Sequence, residues 1–125
     1  MIRSIAALAL AASLIGSAAD AAPSPLSKAF GNTIVSTYPD GRTGRLWLQP
    51  GGAYTAEGRR GDPSSGRWSL KGAKVCLKQS KPIWTPFTFC TAIPSGGVGA
   101  AWSAKAVTGE AIRVKLVAGH VSGRG

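Results

Sequence analysis

The sequence predicts an all-β, single-domain protein, built as an antiparallel meander that forms a small barrel or sandwich of about eight short strands. Glycine and proline account for 17 and 8 of its 125 residues, a share that is high for a helical bundle and ordinary for a turn-rich β protein. Short runs rich in β-branched and aromatic residues recur about every ten residues, with turn signals between them. No window after residue 21 repeats its apolar residues with the helical period of about 3.6.

The first 21 residues are expected to be a secretory signal peptide. Arg3 supplies a positive charge, the apolar run Ile5–Ile15 follows, and Ala19-Asp20-Ala21 places small residues where a signal peptidase reads them. The run is shorter than the roughly 20 residues that a bilayer-spanning helix needs, and no later run is longer, so no transmembrane segment is predicted. We therefore expect a periplasmic or secreted protein.

The first three predicted strands are separated by two turns whose residues suit them. Thr33–Tyr38 is β-branched and aromatic, and Pro39-Asp40-Gly41 ends it, because proline presets φ and glycine accepts positive φ. Arg45–Gln49 alternates apolar and polar residues. Pro50-Gly51-Gly52 turns the chain again, and Ala53–Gly58 forms the third strand.

The middle of the chain is expected to form a tight hairpin and one further strand. Arg59–Gly66 reads as a polar loop. Arg67–Leu70 and Lys74–Gln79 flank Lys71-Gly72-Ala73, a short connection typical of hairpins. Phe87–Ile93 follows a loop that contains prolines, and it is the sixth predicted strand.

Two more strands, Ala101–Val107 and Ala111–Ala118, flank the turn Thr108-Gly109-Glu110 and complete the predicted domain. The all-β domain is therefore expected to span residues 33–118. Residues 22–32, which contain two prolines, are expected to be a flexible lead-in, and the glycine-rich residues 119–125 a flexible tail.

The alternation of side chains along the strands separates an apolar face, expected to be interior, from a polar one. Cys76 and Cys90 fall on the polar face of neighbouring strands, where side chains come within about 5 Å of each other. An even pair in an exported protein indicates a disulfide, worth about 3 kcal/mol for a loop of this length. A redox-active pair is the alternative, although it usually has the closer C-x-x-C spacing. The candidate interior residues are Trp68, Leu70, Phe87, Phe89 and Trp102.

Catalysis is not predicted, and neither a cofactor nor a metal site is expected. The carboxylates after residue 21 are few, and Glu57 is expected to pair with a neighbouring arginine such as Arg59. Acid–base chemistry needs two titratable groups in one cleft, and no spacing here places two together. His120 is the single histidine of the chain and lies in the predicted tail, so a metal site would lack ligands.

The excess of basic residues is the feature with functional content. The chain carries a net charge of +10 at pH 7, and such a field attracts anionic partners. Lipopolysaccharide, anionic lipid or another polyanion is expected, without specific nucleic-acid recognition; the alternative is that the charge only keeps an exported protein soluble. Trp47, expected on an outward face, would add an interfacial anchor. The candidate anion-binding residues are Arg45, Arg67, Lys74, Lys78, Arg113 and Lys115.

The segment Gly66-Arg67-Trp68-Ser69-Leu70, followed by Val75-Cys76-Leu77 and Cys90, resembles the G-x-W strand and cysteine-bearing hairpin of small exported bacterial proteins with lipocalin-like meanders. The resemblance covers residues 31–93 and implies a periplasmic β-meander without any particular activity. It also implies a second hypothesis, a lipocalin-like carrier of a small apolar ligand. A cavity of several hundred Å³ would favour the carrier, and a filled core with a contiguous basic face would favour an envelope-associated binding module.

Overall fold

The computed structural model describes residues 26–92 and 96–123, and these residues form eight antiparallel strands. The predicted signal peptide, the lead-in up to residue 25 and the last two residues of the tail lie outside the described residues. The strands are β1 (Thr33–Thr37), β2 (Thr43–Leu48), β3 (Ala53–Glu57), β4 (Pro63–Lys71), β5 (Lys74–Lys81), β6 (Phe89–Ala92), β7 (Ala101–Lys105) and β8 (Ala111–Val117).

All eight strands belong to one sheet in the order β6-β5-β4-β3-β2-β1-β8-β7. Each strand pairs with its chain neighbour, except that the pairing of β1 with β8 replaces a ladder between β6 and β7. The sheet curls until β6 and β7 approach each other, so it forms a nearly closed barrel. The all-β fold class predicted from the sequence is confirmed.

The start of β4 differs from the sequence-based expectation. Residues 63–66 were expected to belong to a polar loop, but they pair with β3. Proline is tolerated here because it is the first residue of the strand. A register shift between Ser65 and Gly66 marks a bulge against β5, and a side chain at Gly66 would collide with the backbone carbonyl of Lys78. The turn-like composition of this stretch therefore reflects a bulged strand.

One end of the barrel is closed by the segment before β1. Leu26 and Ala29 are buried in the same core cluster as Ile34, Leu48 and Leu116, and the ring of Phe30 lies 5.9 Å from that of Trp68. Residues 26–32 were expected to belong to a flexible lead-in, but they pack beneath the barrel, because the apolar side chains of this short segment reach the open strand ends.

The C-terminal strap, residues 119–123, crosses the outer surface of β1, β2 and β3. The amide of Gly119 donates to Asn32 Oδ1 at 2.9 Å, and the amide of Gly123 donates to Glu57 Oε1 at 3.0 Å. His120 stacks on Trp47 with ring centroids 4.2 Å apart. Trp47 does point outward, as predicted, but the strap covers it, and only 7% of its surface is exposed. It therefore cannot serve as an interfacial anchor.

The predicted interior residues divide into two groups. Trp68 and Trp102 are half-buried and pack against the core, and Phe89 is half-buried. Leu70 and Phe87 are 37% and 57% exposed, so their predicted interior position is wrong. Leu70 lies next to the β4–β5 turn, and Phe87 lies in the loop before β6, where the alternation of a strand does not apply.

The predicted disulfide between Cys76 and Cys90 is confirmed. The two residues are direct partners in the β5–β6 register, and their Cα atoms are 4.0 Å apart. Cys76 is only 1% exposed, although it was placed on the polar face. Among the described residues, no helix is long and apolar enough to cross a membrane.

Candidate basic face and barrel mouth

Acidic and basic residues are segregated along the chain. The segment from Pro63 to Gly109 contains no aspartate or glutamate, although it forms β4 to β7 and carries basic residues throughout. The aspartates and glutamates after residue 21 flank this segment on either side, at Asp40, Glu57, Asp62 and Glu110. One part of the barrel therefore carries positive charge that its own strands do not neutralise.

The β4–β5 hairpin concentrates these charges on one face. Arg67 lies directly opposite Lys78, and Lys71 lies opposite Lys74. Like charges in directly opposed positions destabilise a sheet, so this arrangement is unfavourable for the isolated protein. Lys81 follows at the end of β5, opposite Ser65. We call these five residues the basic face: Arg67, Lys71, Lys74, Lys78 and Lys81.

No ion pair involves the basic face within the part of the chain that the structure describes. The guanidinium of Arg67 donates to the carbonyl of Gly51 at 3.1 Å. The ammonium of Lys78 lies 4.7 Å from the ring centroid of Trp84, a cation–π contact. These contacts orient two of the side chains and leave the positive charge of the face uncompensated.

The six predicted anion-binding residues do not form one site. Arg67, Lys74 and Lys78 belong to the basic face, whereas Arg113 and Lys115 lie on β8. Three strands separate β8 from β4 in the sheet. Sequence reasoning also missed two members of the basic face, Lys71 and Lys81, although the absence of acids from residues 63–109 was a signal that could have found them.

Arg45 is the sixth predicted residue, and the structure places it beneath the C-terminal strap. It lies opposite Glu57 in the β2–β3 register. A side chain at Gly123 would collide with its guanidinium, so the strap packs directly against it. Its Nε is buried without a hydrogen-bond partner among the described residues. Arg45 is therefore half-buried and packed against the strap, apart from the basic face.

A cavity of about 300 Å³ opens at the end of the barrel opposite the buried lead-in. This end carries the β1–β2, β3–β4, β5–β6 and β7–β8 connections, and we call it the barrel mouth. Most of the lining is apolar. Burial raises the pKa of the Tyr54 hydroxyl above its usual value, so the phenol is neutral at pH 7. The main apolar lining residues are Leu46, Ala56, Leu77, Phe89, Ala106 and Ile112.

Large apolar side chains are exposed around the mouth. Ile83, Trp84 and Phe87 in the β5–β6 loop are 71%, 61% and 57% exposed. Val107, in the β7–β8 turn, is 63% exposed, and it lines the cavity together with Phe87. Such a group of exposed apolar residues is unusual on a monomeric protein and indicates a contact surface.

Two acidic residues of the mouth, Asp40 and Glu110, are neutralised by arginine. The guanidinium of Arg59 binds both oxygens of Glu110, at 2.9 and 3.3 Å, and lies 3.6 Å from Asp40. Hydrogen bonds from Thr108 and from Arg59 lower the pKa of Glu110, so it stays ionised. The expected pairing of Arg59 with Glu57 is wrong, because Glu57 instead accepts hydrogen bonds from the C-terminal strap.

His120 lies against Trp47 on the outer surface, away from the cavity lining. Among residues 26–92 and 96–123, no group of three or more histidine, cysteine or acidic side chains could hold a metal ion. No family model, no curated protein and no solved structure matches the chain.

Proposed function

We propose that the protein is an exported, non-catalytic module that binds an anionic surface of the cell envelope through its basic face. The observation that carries the proposal is that like-charged residues are register partners, Arg67 with Lys78 and Lys71 with Lys74, on strands without any acidic residue. Opposed like charges cost stability in the free protein, and an anionic partner would turn the same charges into favourable interactions. Phosphate groups are the chemistry that lysine and arginine side chains of this kind recognise.

The expected strength of the interaction follows from the number of charges. Each lysine or arginine close to an anionic membrane surface contributes about 1 kcal/mol. The five side chains of the basic face would together give a binding energy of about 5 kcal/mol at moderate salt. Because about 1.4 kcal/mol changes affinity tenfold, this energy raises the affinity by between about three and four orders of magnitude. An interaction of that strength is reversible.

The test compares two double variants that change the net charge equally. Lys71→Gln/Lys74→Gln removes two charges from the basic face, and Arg113→Gln/Lys115→Gln removes two from β8. We expect the first variant to bind phosphatidylglycerol vesicles about thirtyfold more weakly, and the second to bind like the original protein within about threefold. Co-sedimentation measures both affinities, and circular dichroism confirms that both variants are folded.

Separate arms with lipopolysaccharide and with phosphatidylglycerol vesicles distinguish the two sources of phosphate. A preference for one of them identifies the partner. Equal weakening in both double variants would mean that only the net charge matters, and the proposal of a defined basic face would be wrong.

The cavity favours a second candidate function, a carrier of a small apolar ligand. Its volume of about 300 Å³ lies at the lower end of the range for ligand pockets, about 300–1,000 Å³. The neutral dye N-phenylnaphthylamine is expected to bind with enhanced fluorescence, and Ala56→Leu should weaken this binding because Ala56 lines the cavity. The matched control is Val98→Ser, since Val98 is exposed on a loop away from the mouth. Binding that Ala56→Leu leaves unchanged would place the dye outside the cavity.

A further inference from the structure

The β5–β6 loop, residues 82–88, presents its apolar side chains in a fixed conformation. The amide of Thr85 donates to the carbonyl of Gln79 at 3.2 Å, and Gln79 Nε2 donates to the carbonyl of Ile83 at 2.9 Å. The Thr85 hydroxyl donates to the carbonyl of Phe87. The loop is thus tied to β5 by its backbone, while Ile83, Trp84 and Phe87 remain exposed.

The apolar loop and the basic face are continuous. Lys81 immediately precedes the loop, and the ammonium of Lys78 lies over the ring of Trp84. A tryptophan beside lysine side chains is the combination found at the boundary between lipid head groups and acyl chains. The indole can enter the boundary region while the two ammonium groups contact phosphates.

Two acidic residues at this end are neutralised by arginine, and the exposed Asp62 lies in the β3–β4 connection, outside the β5–β6 loop. Asp40 and Glu110 are held by Arg59, and Asp40 is also within 3.8 Å of Arg42. The positive charge of Lys78 and Lys81 therefore remains effective beside the mouth. Val107, in the β7–β8 turn, adds an exposed apolar side chain at this end.

We propose that the β5–β6 loop inserts into an anionic lipid surface while the basic face lies along the phosphates, so that the barrel rests on β4 and β5. This inference rests on the proposed function and identifies the partner as an anionic lipid whose acyl chains the loop contacts. It also fixes the orientation of the barrel, because the basic face runs along β4 and β5 and the loop extends it beyond Lys81.

The first experiment measures binding to vesicles of equimolar phosphatidylglycerol and phosphatidylcholine. Ile83→Ser/Trp84→Ser is expected to weaken binding at least about tenfold, because two large apolar side chains no longer enter the lipid. Val98→Ser/Val121→Ser is the matched control, since it removes two exposed apolar side chains elsewhere, and it should bind normally. Inorganic polyphosphate, which has charge and no acyl chains, should bind the loop variant and the original protein equally.

The second experiment locates Trp84 directly. Lipids brominated on their acyl chains are expected to quench the tryptophan fluorescence of the bound protein, and Trp84→Phe should abolish most of that quenching. Normal vesicle binding by the loop variant, or quenching that persists in Trp84→Phe, would overturn the inference and leave the basic face in place. If the original protein bound neither vesicles nor polyphosphate at low salt, the proposed function would fail together with the inference.

Discussion

The hydroxyl of Thr33 joins two strands and the C-terminal strap at one point. It donates to the carbonyl of Gly119 at 2.7 Å and accepts from Trp47 Nε1 and from the amide of Val121, both at 2.8 Å. Thr33 is completely buried, so each of these groups would lack a partner without it. Leaving buried polar groups unpaired lowers the free energy of unfolding. A substitution that removes the Thr33 hydroxyl therefore measures that loss.

Replacing Thr33 by valine is expected to lower the free energy of unfolding by about 1–3 kcal/mol. The shape of the side chain is kept, while the indole N–H of Trp47 and the amide of Val121 lose their acceptor. Thr37→Val, at an exposed position on the same strand, is the matched control and should change stability by less than about 0.5 kcal/mol. Urea unfolding of both variants measures the difference. Equal stability of the two variants would show that the strap is held by other contacts.

At the scale of the element, the β4–β5 hairpin shows how much the sequence could predict. Its central residues, its turn and the partner cysteine on β6 follow from alternation and turn chemistry, and the structure confirms the disulfide. The first four residues of β4 could not be predicted, because Pro63-Ser64-Ser65-Gly66 has the composition of a loop. Only the neighbouring strand reveals why a glycine is required in that stretch.

Gly66→Ala is expected to destabilise the protein by at least about 2 kcal/mol, because the new methyl group would meet the backbone of β5 at the carbonyl of Lys78. Gly58→Ala is the control, since the nearest atom to its new methyl group would be 3.9 Å away. Thermal unfolding measures both effects. A Gly66→Ala protein as stable as Gly58→Ala would mean that the two strands separate easily at the bulge.

The β5–β6 loop marks the limit of sequence reasoning about the site. Strand alternation was extended to Phe87 and predicted an interior side chain, whereas the loop exposes it beside the barrel mouth. For Trp47 the error was the opposite one. Its outward position was predicted correctly, but its burial beneath the C-terminal strap was not. The strap, residues 119–123, is distant in sequence, and local sequence patterns carry no information about such contacts.

At the scale of the whole molecule, charge and apolar surface are distributed unevenly. Basic residues without acidic partners run along β4 and β5, and the exposed apolar loop adjoins them at the end of the barrel where the cavity opens. The opposite end is closed by Leu26 and Ala29. The composition predicted a basic exported β protein. The three-dimensional arrangement adds which side of the barrel would meet an anionic surface, namely the basic face and the adjoining β5–β6 loop.

The most direct test of the central claim is the binding of the oxidised protein to phosphatidylglycerol vesicles across a salt series. We expect association at about 150 mM salt that weakens steeply as the salt concentration rises, because screening shortens the reach of the basic face to about 8 Å or less. Association that does not change with salt would show that apolar contacts alone are responsible. Absence of association even at low salt would contradict the account, and the cavity would then become the better guide to function.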